Sequence, residues 1–296
     1  MKTSIVKNTL TLVKSRPEAL FIWSWCTLIA CLVVGRGVPP LTPTFMAIGS
    51  TLFLTASAYI YNDLCDAEMD RFNPDKQSRP LASGEVSESF AYRFIAVTGV
   101  IGLIISLLIN QKTFIFSLTY YVLFMAYSWP KIRFKKIFLL KELITSSAWP
   151  ILALVGVYAI KGSFSLPGIF AGIMMGVFSF LGLPALSDSL DEKEDSMFDV
   201  NSLARSLSWK RRIEFLGLAI LIMMVVTTLT YSRLGFNTVL PILVVGSSLF
   251  LLKSVIPIYN QFERERVQKV RSFTYLYVIL SQIFIVIGSL NITLPF

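Results

Sequence analysis

Residues 42–70 read TPTFMAIGSTLFLTASAYIYNDLCDAEMD, in which twenty residues without a charge run straight into a segment carrying four acidic side chains. A charge-free run of that length is what an α-helix needs to cross a bilayer. The acidic tail then falls where such a helix would reach water. The rest of the chain fits the same reading. Of its 296 residues, 54% are apolar and only 15% charged, with a mean hydropathy of +0.67. Soluble domains carry about 25% charged residues, and one water-soluble core cannot hide this much apolar surface. The apolar runs are continuous rather than alternating, which disfavours a β-barrel. The sequence predicts an all-α polytopic membrane protein.

Apolar runs bounded by charge, proline or glycine give nine transmembrane helices, at 18–36, 42–61, 89–109, 113–129, 138–160, 165–187, 213–231, 236–257 and 272–292. Residues 1–17 are polar and basic and read as an uncleaved start rather than a signal peptide. Sorting lysines and arginines by alternate loops puts 23 on one side and four, Arg36, Lys112, Lys161 and Arg233, on the other. That split predicts a cytoplasmic N-terminus and a C-terminus on the opposite side. It also accounts for the net charge of +9 by placement across a lipid bilayer, with no nucleic acid as partner. The absence of histidine removes imidazole acid–base chemistry and His-ligated zinc or haem. Cys26, Cys31 and Cys65 show no zinc-like spacing and read as isolated thiols.

All eight aspartates lie in two segments, both on the predicted cytoplasmic side: Asp63, Asp66, Asp70 and Asp75 after the second span, Asp188, Asp191, Asp195 and Asp199 after the sixth. Asp63, Asp66 and Asp70 are spaced i, i+3 and i+7, and so are Asp188, Asp191 and Asp195, each offset by 125 residues from its counterpart. At helical pitch each trio shares one face. Four spans separate the trios, which predicts a parallel internal repeat. Two pseudo-repeated four-helix halves, about 18–135 and 138–257, would surround a central cavity, with the ninth helix as an addition. Six focused carboxylates repel one another unless divalent cations hold them, and Mg²⁺ binds through carboxylates together with substrate phosphates. Facing trios therefore predict two or more Mg²⁺ ions clamping a diphosphate. Lys76 and Arg79 in the loop after Asp70, and Lys131 and Arg133 in the fourth loop, suit its oxygens.

With these residues in place the sequence resembles the UbiA superfamily of intramembrane prenyltransferases. The matching pieces are NDxxDxxxD at 62–70, RPLxSG at 79–84, YSWPK at 127–131, which is similar to a YSxxxK pattern, and DxxDxxxD at 188–195. The resemblance covers essentially the whole chain. It implies an isoprenyl diphosphate donor bound through Mg²⁺ and a lipophilic acceptor, either an aromatic quinone precursor or a prenylated glycerol phosphate. A porphyrin-type alcohol acid also stays open. By matching position, Asn62, Asp66 and Asp70 would hold metal and diphosphate from the first half and Asp191 and Asp195 from the second, with Asp63 and Asp188 supporting. Asp66, Asp70, Asp191 and Asp195 would be catalytic. Asn62, Lys76, Arg79, Lys131 and Arg133 would face the leaving diphosphate. Glu194 and the stretch 201–205 depart from the pattern of many relatives, which leaves the acceptor open.

Negative charge builds on the bridging oxygen as the allylic C–O bond breaks, and metal and basic groups stabilise it. The allylic cation needs a dry, π-rich cavity, for which Tyr59, Tyr61, Tyr121, Tyr127, Trp149 and Phe180 are candidates. Two other readings use the same carboxylates. A UbiA-type terpene cyclase would ionise the donor without an acceptor. A membrane transporter would bury its acids mid-span, whereas these sit at span ends.

Overall fold

A computed structural model of the chain describes residues 2–137, 139–197 and 206–291; the side chains of 2, 3 and 191–197 lie outside the description. Eleven α-helices follow in order among the described residues. They are α1 (Lys2–Lys14), α2 (Pro17–Val34), α3 (Leu41–Asp70), α4 (Glu88–Ile109), α5 (Gln111–Ser128), α6 (Leu140–Lys161), α7 (Leu166–Leu181), α8 (Leu183–Met197), α9 (Trp209–Thr230), α10 (Val239–Val255) and α11 (Arg264–Ser289). No strand occurs among the described residues. Among the described residues, seven helices are each long and apolar enough to cross a membrane: α2, α3, α4, α6, α9, α10 extended to Ile258, and α11. The bent pair α7–α8 makes an eighth if taken as one span. α5 occupies the place of the expected span at 113–129 but opens on the polar Gln111, Lys112 and Thr113 and falls outside that set.

The expected second span ends at 61, yet α3 continues as one helix to Asp70. Thirty residues at 1.5 Å each give about 45 Å, well beyond the hydrocarbon thickness of about 30 Å. The final turns, with the whole first acidic motif, therefore extend past the apolar slab. The expected sixth span, read as one run over 165–187, is instead two helices meeting at 43°. The break has a local cause. Pro184 has no N–H for the Phe180 carbonyl and its ring would crowd that turn. Gly182 lets α9 approach there: a Cβ at 182 would stand 3.2 Å from both Ala219 Cβ and Leu216 Cδ1.

Small residues set the close helix contacts, as expected where lipid supplies no hydrophobic contrast between helices. Gly168, Gly172 and Gly176 form a stripe along α7. At 172 a Cβ would lie 2.7 Å from the Trp149 carbonyl of α6, and at 176 it would lie 3.0 Å from that of Ser146. Buried hydroxyls supply interhelical hydrogen bonds. Ser50 donates to the Gly102 carbonyl at 2.8 Å, Ser57 to that of Ile95 at 2.8 Å, and Thr55 pairs with the Tyr120 hydroxyl at 3.0 Å. An aromatic cluster fills the middle of the first helices, with Trp23 against Tyr120, Phe124 and Trp149.

Candidate active site

The first motif is delivered by the end of α3. Asp63, Asp66 and Asp70 are buried, at 3%, 7% and 6% exposure, and helical pitch sets them on one side. Buried carboxylates need compensating charge, and three separate segments supply it. From the α1–α2 junction, Arg16 donates through Nε to Asp63 Oδ2 at 2.9 Å and through Nη2 to Oδ1. From the loop after α3, Arg79 reaches Asp70 Oδ2 at 2.7 Å and Asp63 Oδ1 at 3.5 Å. From the α5–α6 connection, Arg133 donates to Asp66 Oδ1 at 3.2 Å, and Lys135 pairs with both oxygens of Asp66. Asn62 donates to Asp66 Oδ2 at 3.1 Å and to Ser128 Oγ at 2.8 Å, joining the end of α3 to the end of α5.

Local sequence explains why these cations arrive. Asn73 caps a tight turn: its Oδ1 accepts from the Asp75 amide at 2.8 Å, and its carbonyl accepts from Lys76 and Gln77. The Val86 amide then donates to the Pro80 carbonyl, and Gly84 supplies the positive φ of +78° that turns the chain back to α4. Arg79 is thereby held over Asp70. Arg133 itself has a left-handed backbone, φ 49° and ψ 55°, a conformation that costs a non-glycine residue roughly 1 kcal/mol or more. Its amide bonds the Trp129 carbonyl at 2.7 Å, so the turn carries the guanidinium to Asp66. Burial lowers the Lys135 pKa below that of an ordinary lysine, while Asp66 pulls the other way. At Arg16 burial opposes the charge, yet hydrogen bonding and attraction to Asp63 leave its pKa raised.

The second motif begins just after the bend. Asp188 in α8 is 6% exposed, and Lys141 at the start of α6 donates to its Oδ1 at 3.1 Å. Asp191 and Asp195 lie outside the described side chains. Tyr127, near the end of α5, stacks on Phe124 with ring centroids 6.4 Å apart. Lys76 is half-buried in its loop, and Lys131 is exposed in the turn after α5. Sequence reasoning took Arg16 only as a topology signal and ranked Lys135 and Lys141 below the chosen diphosphate contacts, yet all three pair with motif carboxylates. No spacing rule links residues 47 and 69 apart. Glu142, buried at 2%, also passed unnoticed.

A cleft of about 720 Å³ opens beside the first motif, between α2, α3, α6, α7, α8 and α11. Arg16, Trp23, Tyr59, Trp149 and Tyr275 are among its walls. Arg16 thus lines the cleft and holds Asp63 at once, and its guanidinium stands 5.9 Å from the Tyr59 ring centroid. The Trp23 indole N–H donates to the Tyr59 hydroxyl at 2.9 Å, which fixes that ring. Of the aromatic candidates, Tyr59 and Trp149 line this cleft, whereas Phe180 lines a separate pocket with Arg212. The donor set of Asp63, Asp66, Asp70 and Asp188 is all hard carboxylate oxygen, which suits Mg²⁺ in kind. No group of three metal-competent side chains is already gathered among the described residues.

A profile of the UbiA prenyltransferase family matches residues 23–279. A digeranylgeranylglyceryl phosphate synthase of Sulfolobus acidocaldarius is 29% identical over 252 residues, 84% of this chain and 86% of the relative. Among solved structures, one of a digeranylgeranylglyceryl phosphate synthase superposes with a TM-score of 0.78 at 21% identity, covering 99% of this chain and 100% of the other. A UbiA homologue from Archaeoglobus fulgidus, bound to GPP and Mg²⁺, does so with a TM-score of 0.66 at 17% identity, covering 93% and 99%. The two structural likenesses establish a shared fold.

Proposed function

The chain belongs to the UbiA prenyltransferase family, and from that premise we propose that it is a Mg²⁺-dependent intramembrane enzyme moving an isoprenyl group from a prenyl diphosphate to a lipophilic acceptor. The observation that carries this reading is a set of buried carboxylates, ringed by Arg16, Arg79, Arg133, Lys135 and Lys141, beside an aromatic-walled cleft. Asn62, Asp63, Asp66, Asp70, Asp188, Asp191 and Asp195 would hold the metal. Bound Mg²⁺ supplies Lewis-acid neutralisation of the diphosphate as it leaves. Lys76, Arg79, Lys131 and Arg133 take the diphosphate oxygens, Arg79 and Arg133 turning toward the leaving group from carboxylates they now hold. Trp23, Tyr59 and Trp149 exclude water and offer π-faces to the allylic cation. The acceptor's proton passes to an aspartate, to the diphosphate or to water. Likeness to a digeranylgeranylglyceryl phosphate synthase over most of the chain favours a prenylated glycerol phosphate as acceptor over an aromatic quinone precursor.

The same proposal includes nine spans in two four-helix halves with a ninth added, α5 and the bent α7–α8 among them. The motif side is cytoplasmic, on the strength of the lysine and arginine split. The test supplies purified protein with labelled geranylgeranyl diphosphate and Mg²⁺, with and without candidate acceptors, and analyses products by mass spectrometry. A prenylated acceptor is expected. A hydrocarbon formed without any acceptor would replace transfer by cyclisation, and no Mg²⁺-dependent diphosphate release would sink both.

A further inference from the structure

The first helix belongs to none of the machinery above. α1 is thirteen residues long, too short and too polar to span a membrane, with Lys14 in its last turn. Only Ser15 and Arg16 separate it from Pro17, the first residue of a span, so it lies at the level where the bundle leaves the bilayer. Leu12, at 1% exposure, anchors it in a cluster with Leu20, Ile60 and Phe94. Val13 packs against the same cluster, whereas Ile5, Val6 and Leu10 point elsewhere, at 51%, 60% and 49% exposure. Val6 and Leu10 are four apart and share a face. Lys7 and Lys14, seven apart and both exposed, share the neighbouring face. An apolar strip edged by lysines that extend past it matches a helix lying in a charged lipid interface.

We propose that α1 is a membrane-surface helix, whose Val6–Leu10 face enters one leaflet while Lys7 and Lys14 bind anionic lipid headgroups. The occupant follows from charge and place. The helix is tethered at the bilayer edge, where lipid is the surface every molecule meets, and its exposed rim is cationic. Each lysine close to an anionic leaflet contributes about fivefold in binding, so the pair should give roughly 30-fold between anionic and neutral lipid. The inference is independent of prenyl transfer.

The test is amide hydrogen exchange of the full chain, one copy per nanodisc, in phosphatidylcholine alone or mixed with phosphatidylglycerol. Amides of 4–14 should exchange more slowly in the anionic discs, by up to about 30-fold, while those of α6 stay unchanged. Lys7→Gln with Lys14→Gln should erase the difference between lipids. Val6→Ser with Leu10→Ser should speed exchange in both. Equal exchange of the unaltered chain in the two lipids would overturn the proposal, as would a lipid dependence that survives removal of both lysines. Slow exchange that appears only when two copies share a disc would assign the face to a second copy and overturn it as well.

Discussion

The two acidic motifs have one spacing and two constructions. α3 carries Asp63, Asp66 and Asp70 on an unbroken 30-residue helix, so the direction of the span aims the carboxylates. α7 and α8 meet at 43°, so a bend next to Gly182 aims Asp188. The partners differ too. The first motif draws Arg16, Arg133 and Lys135 from segments distant in sequence and Arg79 from the loop that follows α3, while Asp188 draws Lys141 from α6. Spacing decides which carboxylates share a face. What precedes the helix decides where that face points, and tertiary packing decides which cations meet it.

The strongest way to break the comparison is to disable each motif in turn. Asp66→Asn and Asp191→Asn keep shape and remove charge, so a clamp built from both motifs loses about 10³-fold in Mg²⁺-dependent diphosphate release in either variant. Release from labelled donor, with folding followed by thermal denaturation in detergent, reads the outcome. Loss in Asp66→Asn alone would make the straight arm the whole machine. Activity kept in both would end the metal-clamp assignment.

The cations give the next effect. Arg16 makes two bonds to Asp63, which is 3% exposed, and removing one partner of a buried pair costs about 3 kcal/mol or more. Arg16→Gln should lower stability by about 2 kcal/mol, less than the full loss because Arg16 is itself 20% exposed and Arg79 still stands 3.5 Å from Asp63 Oδ1. Lys141 is 22% exposed, and its pairing is partly screened by solvent, so Lys141→Gln should cost about 1 kcal/mol. Equal losses in chemical denaturation would mean that both arms are held alike.

Packing comes third. A Cβ at 172 would fall 2.6 Å from Ala153 Cβ and 2.7 Å from the Trp149 carbonyl, and backbone cannot step aside as a side chain can. Gly172→Val should cost about 2 kcal/mol by forcing α6 and α7 apart, read as a lower melting temperature. An unchanged melting temperature would show that α7 can slide on α6.

How much of this was legible follows the same division. Apolar runs located the helices, because a bilayer leaves the backbone few alternatives to intrahelical bonding. The trios of aspartates announced their shared faces, because i, i+3 and i+7 are local geometry. The extension of α3 past residue 61 was less visible, since hydropathy reports the lipid slab and not the helix. The bend was written in Gly182 and Pro184 but hidden by an unbroken apolar run across them. α1 was masked by its lysines, which read as topology signals. Arg16 met Asp63 only through tertiary structure, and no local pattern carries that information.

The smallest expected effect tests whether the bend aims the second motif. Gly182→Ala raises helix propensity by up to about 1 kcal/mol and sets a Cβ 3.1 Å from the Phe178 carbonyl and 3.2 Å from both Ala219 Cβ and Leu216 Cδ1, a crowding that shifts of a few tenths of an ångström relieve. The two terms nearly cancel, so stability should move by less than about 1 kcal/mol. The bend should persist, because Pro184 still withholds a hydrogen from the Phe180 carbonyl. Gly182→Ala combined with Pro184→Ala restores that donor and allows α7 and α8 to straighten, turning Asp188 away from Lys141. Diphosphate release should then fall about tenfold more than in Gly182→Ala alone, beyond what any stability change explains, as expected when a misplacement of about 1 Å costs up to about 10²-fold. If the double variant keeps full release, the second arm is aimed by its packing on α9 and α11 rather than by its bend, and the two arms are closer in construction than their helices suggest.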